Sequence, residues 1–246
     1  MALVKVKGLI SKEISYSDSD KMLTIITEDF GKISVMARNA KKNGTRACYG
    51  TQVLTYGEYV LYRGRSSFTL NNCDVITNYY DLALDLVCFT NIAHMLELAE
   101  DTCADAALSG QILDLLLYGF KALRKGRSPL LVSSAFAIKL MQITGYPPHV
   151  HDCAVCRTTE IDNIYFSFNK CGFVCEVCAK SDTEARLIDT GTAKAIVYVL
   201  CAPKGKVFSF DLSEEVSKRF SDIALRYTSL QLDKNYMKLN MLKDLA

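Results

Sequence analysis

The chain has 246 residues, half of them apolar, which is enough for two domains of ordinary size, each with its own core. Its 29 Lys and Arg against 27 Asp and Glu leave a net charge of +2, too small to imply any partner by itself. No uncharged apolar run approaches the roughly 20 residues that cross a bilayer, and the short, charged start does not read as a cleavable leader. No membrane association is expected, and the expected location is cytoplasmic.

Residues 3–10 alternate apolar and polar, the pattern of a half-buried strand. Residues 15–20 carry turn chemistry, residues 21–27 are β-branched and apolar, and Glu28-Asp29-Phe30-Gly31 reads as a hairpin turn before renewed alternation at 32–37. After a polar break at 39–46, strands are predicted at 53–62 and 67–75, separated by Arg63-Gly64-Arg65-Ser66. Five strands with short connections predict a small closed or nearly closed barrel. Among such barrels the OB-fold is the one most used for nucleic acid.

The period then changes. Residues 81–100 place apolar side chains at three- and four-residue steps, as do 111–123 and 129–144, so three amphipathic helices are predicted. The third has Ser128 as N-cap and Pro129 in its first turn. A shorter helix is predicted from residue 190 or 191 to Cys201, and a last one from Ser213 to about residue 230. The polar stretch 233–246 is expected to be loosely held. The pattern therefore predicts an α+β chain with an N-terminal OB-type domain over 1–78 and an all-α domain over 79–246.

Inside the helical half, Cys153 and Cys156 are followed eighteen residues later by Cys175 and Cys178. Two C-x₂-C knuckles at this spacing are the pattern of a structural zinc ribbon, here at about 150–180, with a hairpin between them turning at Asn169-Lys170. Four thiolates close a tetrahedral shell and leave no position for a reactive water. Paired disulfides are the competing reading. The other cysteines (Cys48, Cys73, Cys88, Cys103, Cys171 and Cys201) show no paired spacing, as in reduced thiols of a cytosol. Cys171, His149 and His151 lie near the site, and a packing or surface role is expected for all three.

Charge is unevenly distributed. Over residues 32–65 the basic residues are Lys32, Arg38, Lys41, Lys42, Arg46, Arg63 and Arg65 against the single acid Glu58, a net +6 that leaves −4 for the rest. A cationic barrel face would follow phosphates without reading bases, with Tyr49, Tyr56, Tyr59, Tyr62 and Phe68 as stacking candidates, some necessarily facing inward. Catalytic signatures are missing: no glycine-rich phosphate loop, no H-x-E ahead of the cysteines, no serine elbow. Asp18, Asp20, Glu28 and Asp29 are the material for a metal-dependent nuclease, but they occupy turn-forming positions where Asp is favoured anyway.

Several segments together resemble the RecO recombination mediators. Val6-Lys7-Gly8-Leu9-Ile10, Asp18-Ser19-Asp20-Lys21 and Thr27-Glu28-Asp29-Phe30-Gly31-Lys32 are similar to the family's opening strands. The run from Ala37-Arg38-Asn39-Ala40-Lys41-Lys42 to Thr45-Arg46 is similar to its basic loop, and Phe136 to Met141, Gly145-Tyr146-Pro147-Pro148 and Cys153 to Cys156 to its helix-to-zinc junction. The resemblance implies an OB-fold followed by a helical domain with a zinc ribbon, and no enzymatic activity. It implies binding of single- and double-stranded DNA, strand annealing, and help for RecA on strands coated by single-strand-binding protein. RecR and the C-terminal tail of single-strand-binding protein are the implied partners. It gives Arg38, Lys41, Lys42 and Arg46 as DNA contacts and the paired cysteines as zinc ligands. Asn39 stands where the family usually has Gly, and Cys171 where it has the first of two glycines. A protein-binding zinc adaptor without annealing activity is the alternative.

Overall fold

In the computed structural model, which describes residues 2–42, 49–65, 67–104 and 106–239, the alternating N-terminal segment forms one long strand, β1 (Ala2–Ser15). It is longer than the 3–10 alternation predicts because a bulge interrupts the period. Ile10 faces Ile25 and Lys12 faces Thr24, so Ser11 is the extra residue, its hydroxyl donating to the Thr24 carbonyl at 3.3 Å. The bend lets the strand's far half pair with β2 (Lys21–Thr27) and its near half with β4 (Thr55–Arg63). β3 (Lys32–Ala37) and β5 (Phe68–Asn78) complete a closed barrel in the order β1-β2-β3-β5-β4, with β3 and β5 parallel. This is an OB-fold. Its interior is filled by Val6, Ile10, Leu23, Ile25, Ile33, Val35, Tyr59 and Leu61, the inward alternates of their strands.

The chain divides into two units, Met1–Phe89 with Leu96–Phe120 and Thr90–Met95 with Lys121–Ala246. In the first, the β2–β3 turn is held by the helical segment: Ser109 Oγ donates to the Glu28 carbonyl at 2.8 Å and the Lys32 amide to the Cys103 carbonyl at 3.1 Å. Gly31 sits in this turn with φ +68°, and a Cβ there would lie 2.9 Å from the Cys103 carbonyl oxygen, so both conformation and space require glycine.

The predicted helix at 81–100 is a 3₁₀ turn (Tyr80–Leu84) followed by α1 (Leu86–Thr102), because Asp85 caps α1 by accepting from the Cys88 amide at 2.6 Å. α2 spans Ala106–Arg124 and α3 Pro129–Ile143. α2 has the length and apolarity of a membrane span, and half of it is buried, as in a core helix.

In the second unit, α3 is buried almost throughout and packs against α5 (Thr190–Cys201) and α6 (Glu214–Gln231). Asp189 caps α5 through the Thr192 amide at 2.9 Å, and Lys139 closes its other end by donating to the Leu200 and Ala202 carbonyls, both at 3.0 Å. The cysteine segment contributes β6 (Tyr165–Ser167), β7 (Gly172–Val174), the short α4 (Glu176–Ala179) and a third strand, β8 (Ala185–Leu187), in the sheet order β7-β6-β8. Phe166 anchors this sheet, its ring edge-on to Phe168, Phe173 and Tyr227 of α6 at 5.2, 6.3 and 5.6 Å. Beyond α6 the chain departs from the loosely held tail expected of it. Tyr236 and Leu239 are buried, Tyr236 packs edge-on against His94, and Lys238 donates to the Ala93 carbonyl at 3.1 Å.

Candidate nucleic-acid interface and metal centre

On β3 the alternation that sends Ile33 and Val35 inward sends Lys32, Ser34 and Met36 outward, and Arg38 follows at the strand's end. Lys32 and Arg38 are exposed, about 20 Å apart along the strand. The predicted cations gather at these two ends. Arg63 closes β4 and Arg65 lies in the β4–β5 turn, both exposed. The pairings Arg63 with Phe68 and Phe68 with Val35 put that turn beside the start of β3, and Arg63 stands over the Phe30 ring at 5.8 Å.

At the other end, Lys41 and Lys42 follow Arg38, and Lys41 is folded onto the β1–β2 turn. Lys41 Nζ donates to the Ser17 carbonyl at 2.5 Å and its amide to the Ser19 carbonyl at 3.0 Å. Asn39, with φ 53°, turns the chain and donates to Asp20 at 2.8 Å. That amide, with help from Ser17, Ser19 and Arg38, overcomes desolvation and holds the Asp20 carboxyl below its ordinary range. Arg46 lies outside the described residues. Among the described residues no ion pair ties Lys32, Arg38, Arg63 or Arg65 to a carboxylate.

The charge window missed cations on β1 and β2. Lys12 is exposed on the same outer surface, while Lys5 and Lys21 are held by Glu58 at 2.5 Å and Glu13 at 3.0 Å. The alternation of β1 was the signal for Lys5, whereas Lys12 is turned outward only by the bulge at Ser11. Of the stacking candidates, Tyr59 is in the core, its hydroxyl donating to the Thr55 carbonyl at 3.2 Å, and Phe68 packs against Phe30. Tyr56 is half-buried, and Tyr49 and Tyr62 are exposed. The four carboxylates divide between the two turns at opposite ends of β2. Among the described residues the acids there form no metal-binding group.

The metal-binding group that does form is Cys153, Cys156, Cys175 and Cys178, whose sulfurs lie within 4.8 Å of one another. Cys153 is buried, and Cys156 Sγ lies 3.7 Å from Cys175 Sγ. The knuckles are held by backbone: the Arg157 amide returns to the Cys153 carbonyl at 2.9 Å, and the Cys175 amide donates to Cys153 Sγ at 3.4 Å. Gly172 runs so close to His149 that a Cβ would lie 2.2 Å from its carbonyl oxygen, which locks the first knuckle onto β7. Burial resists a thiolate at Cys153, but the amides of Cys156, Cys175 and Val155 outweigh it and bring the pKa down to about 6. Cys178 is pushed up to about 12, first by its hydrogen bond with Cys175 and then by burial. The backbone thus favours a thiolate at Cys153, and four thiolates at this spacing require a cation. The donor set fits a soft, tetrahedral metal ion. His149 is engaged with Asp152 at 2.6 Å, and neither it nor His151 belongs to the group. Cys171 is also outside it, donating to the Phe168 carbonyl at 3.6 Å and accepting from Gln231 at 3.3 Å.

Comparison with known proteins agrees with this architecture. The family described as Recombination protein O N terminal matches residues 1–79, and Recombination protein O C terminal matches residues 83–240. The chain is 37% identical over all its 246 residues to the DNA repair protein RecO of Acetivibrio thermocellus, covering 98% of that protein. It is 28% identical to the DNA repair protein RecO of Caldicellulosiruptor bescii, over 99% of each chain. With the RecO of Staphylococcus aureus it shares 30% identity over 91% of its own length and 90% of the relative's. Matched through both its barrel and its helical half, the chain belongs to the Recombination protein O, or RecO, family.

Proposed function

We propose that this chain is a DNA repair and homologous recombination mediator that binds single- and double-stranded DNA and anneals complementary strands. The observation that carries the proposal is the outer face of β3, with exposed cations at both ends and no ion pair holding Lys32, Arg38, Arg63 or Arg65 among the described residues. Lys32, Arg63 and Arg65 grip a backbone at one end and Arg38, Lys41 and Lys42 at the other, and Arg46, outside the described residues, is proposed as a further contact. Annealing needs contact blind to sequence, which phosphates supply and base-edge hydrogen bonds would hinder. No covalent bond is made or broken. The DNA-binding domain is residues 1–78. Residues 79–246 are the platform for RecR and for the C-terminal tail of single-strand-binding protein, through which RecA gains access to the coated strand. The place of work is the cytoplasm, at the nucleoid.

Zn²⁺ is the metal proposed for Cys153, Cys156, Cys175 and Cys178. Bound there, it neutralises the thiolates and holds the ribbon's two knuckles together. Its role is structural.

Strand annealing and its salt dependence test the reading. Neutralising about four phosphates gives a slope near −3 in log K against log salt on single strands. The quadruple Ala variant of Arg38, Lys41, Lys42 and Arg46 should bind weakly with a much shallower slope, while retaining the wild-type fold. A wild-type affinity indifferent to salt overturns the proposal, as does degradation of the strands when Mg²⁺ is added.

A further inference from the structure

The barrel's outer face carries an apolar pattern across its charged one. Directly paired residues of neighbouring strands share a face, so the register can be followed sideways. Ile14 lies opposite Met22, Met22 opposite Met36, Met36 beside Thr69, Thr69 opposite Tyr62, and Tyr62 opposite Leu3. Leu23, Val35, Leu61 and Leu70, the chain neighbours on four of these strands, pack in or against the core, which puts the row outside. Ile14 is 51% exposed, Tyr62 39% and Leu3 57%, with Met22, Met36 and Thr69 half-buried. The row is one spiral turn that leaves β1 at Ile14 and rejoins it at Leu3. At about 4.8 Å per strand, Ile14 to Tyr62 spans roughly 19 Å.

Cations flank this row on both sides. Arg38 stands two positions beyond Met36 on the same face. On the other side the next row runs Lys12, Thr24, Ser34, followed on β3 by Lys32. Three exposed and two half-buried apolar side chains in one row around the barrel are a liability unless something covers them. The flanking charge fits a polyanion with apolar surfaces of its own.

We infer that the row Ile14–Met22–Met36–Thr69–Tyr62–Leu3 is a base-stacking track by which the barrel distinguishes an unpaired strand from a duplex. The inference rests on the DNA-binding role proposed above. Unpaired bases present π faces, whereas a duplex keeps them inside its stack. Tyr62 offers a ring to stack on, and methionine sulfur makes favourable contacts with aromatic surfaces while its flexible chain adapts to any base. The flanking cations hold the phosphates on either side, and contact of this kind needs no sequence.

The test uses the full chain, a labelled oligothymidine, an abasic strand of the same length, and a duplex. The wild type should bind oligothymidine about tenfold or more tighter than the abasic strand, which carries the same phosphates. The Met22→Gln/Met36→Gln variant should lose most of that preference, with its affinities for abasic strand and duplex unchanged. Tyr62→Ser, a single change at an exposed site, should reduce the preference independently. Equal binding of both strands by the wild type overturns the track, as does a preference that survives largely intact in folded variants. So does a concentration-dependent dimer that the double variant abolishes, since the row then joins two copies of the chain. Absence of binding to every strand overturns the charge-based reading as well, so the two failures are distinguishable.

Discussion

Asp182 shows how single side chains hold the ribbon. Its carboxylate accepts from the Ser167 hydroxyl, from Asn169 Nδ2 at 2.9 Å and from the Glu184 amide at 3.0 Å, joining the β6–β7 hairpin to the approach to β8. The Ser167 bond, ahead of the opposing desolvation, keeps the carboxyl below its ordinary range. A carboxylate whose folded pKa lies below its unfolded one contributes stability above the unfolded value and loses it as pH falls through the folded value. Thermal unfolding should therefore show the wild type more stable than Asp182→Asn at neutral pH, with the gap closing in acid. A gap that stays constant with pH contradicts this account. At this scale the sequence was informative about chemistry and poor on direction. The spacing of Cys153, Cys156, Cys175 and Cys178 announced the group they form, and the basic residues were visible as a run. That the run divides between the two ends of β3 depends on strand register, which no local pattern in the chain specifies.

Among the elements, the long apolar helices were the easiest to read, since their caps and periods agree. Ser128 accepts from the Leu131 amide just as Pro129 begins α3. Short or irregular pieces were harder. β8 has three residues and too little alternation to signal a strand, and its place beside β6 is fixed by the turn that Asp182 organises. β1 was read short because the bulge at Ser11 breaks its period. Residues 233–239 looked polar, yet Tyr236 is 1% exposed and packs on His94, because two apolar side chains among polar ones suffice to dock a segment. Tyr236→Ala should lower unfolding stability by about 3 kcal/mol, as for other buried aromatics. Urea denaturation measures this, and a loss below about 1 kcal/mol would mean that the segment is not packed in solution.

At the scale of the whole molecule, the barrel and the ribbon each have a core of their own, and with it a vulnerability of their own. The barrel closes on its own apolar interior and holds no member of the cysteine group. The ribbon has a small core around Cys153, Val174 and Cys175, so its order depends on what the sulfurs bind. Chelation of the proposed Zn²⁺, or Cys153→Ser, should loosen the ribbon and its contact with Tyr227 while leaving the barrel's affinity for DNA unchanged. Proteolysis between residues 150 and 190, alongside DNA binding by the same sample, measures both. Protection of that region in metal-free protein rules the idea out.

The shared strand β1 has a consequence for synthesis. Its near half pairs only with β4, Ala2 opposite Arg63 and Lys7 opposite Glu58, so this segment, made before the rest of the barrel, waits for one of the barrel's last parts. At about 5–20 residues per second the wait lasts several seconds, during which an unsatisfied edge is presented to every neighbouring nascent chain. Lys5 and Lys7 punctuate that edge, and like charges on an open strand discourage it from joining another copy of itself. These two lysines thus guard the newborn polypeptide before there is any barrel for them to decorate.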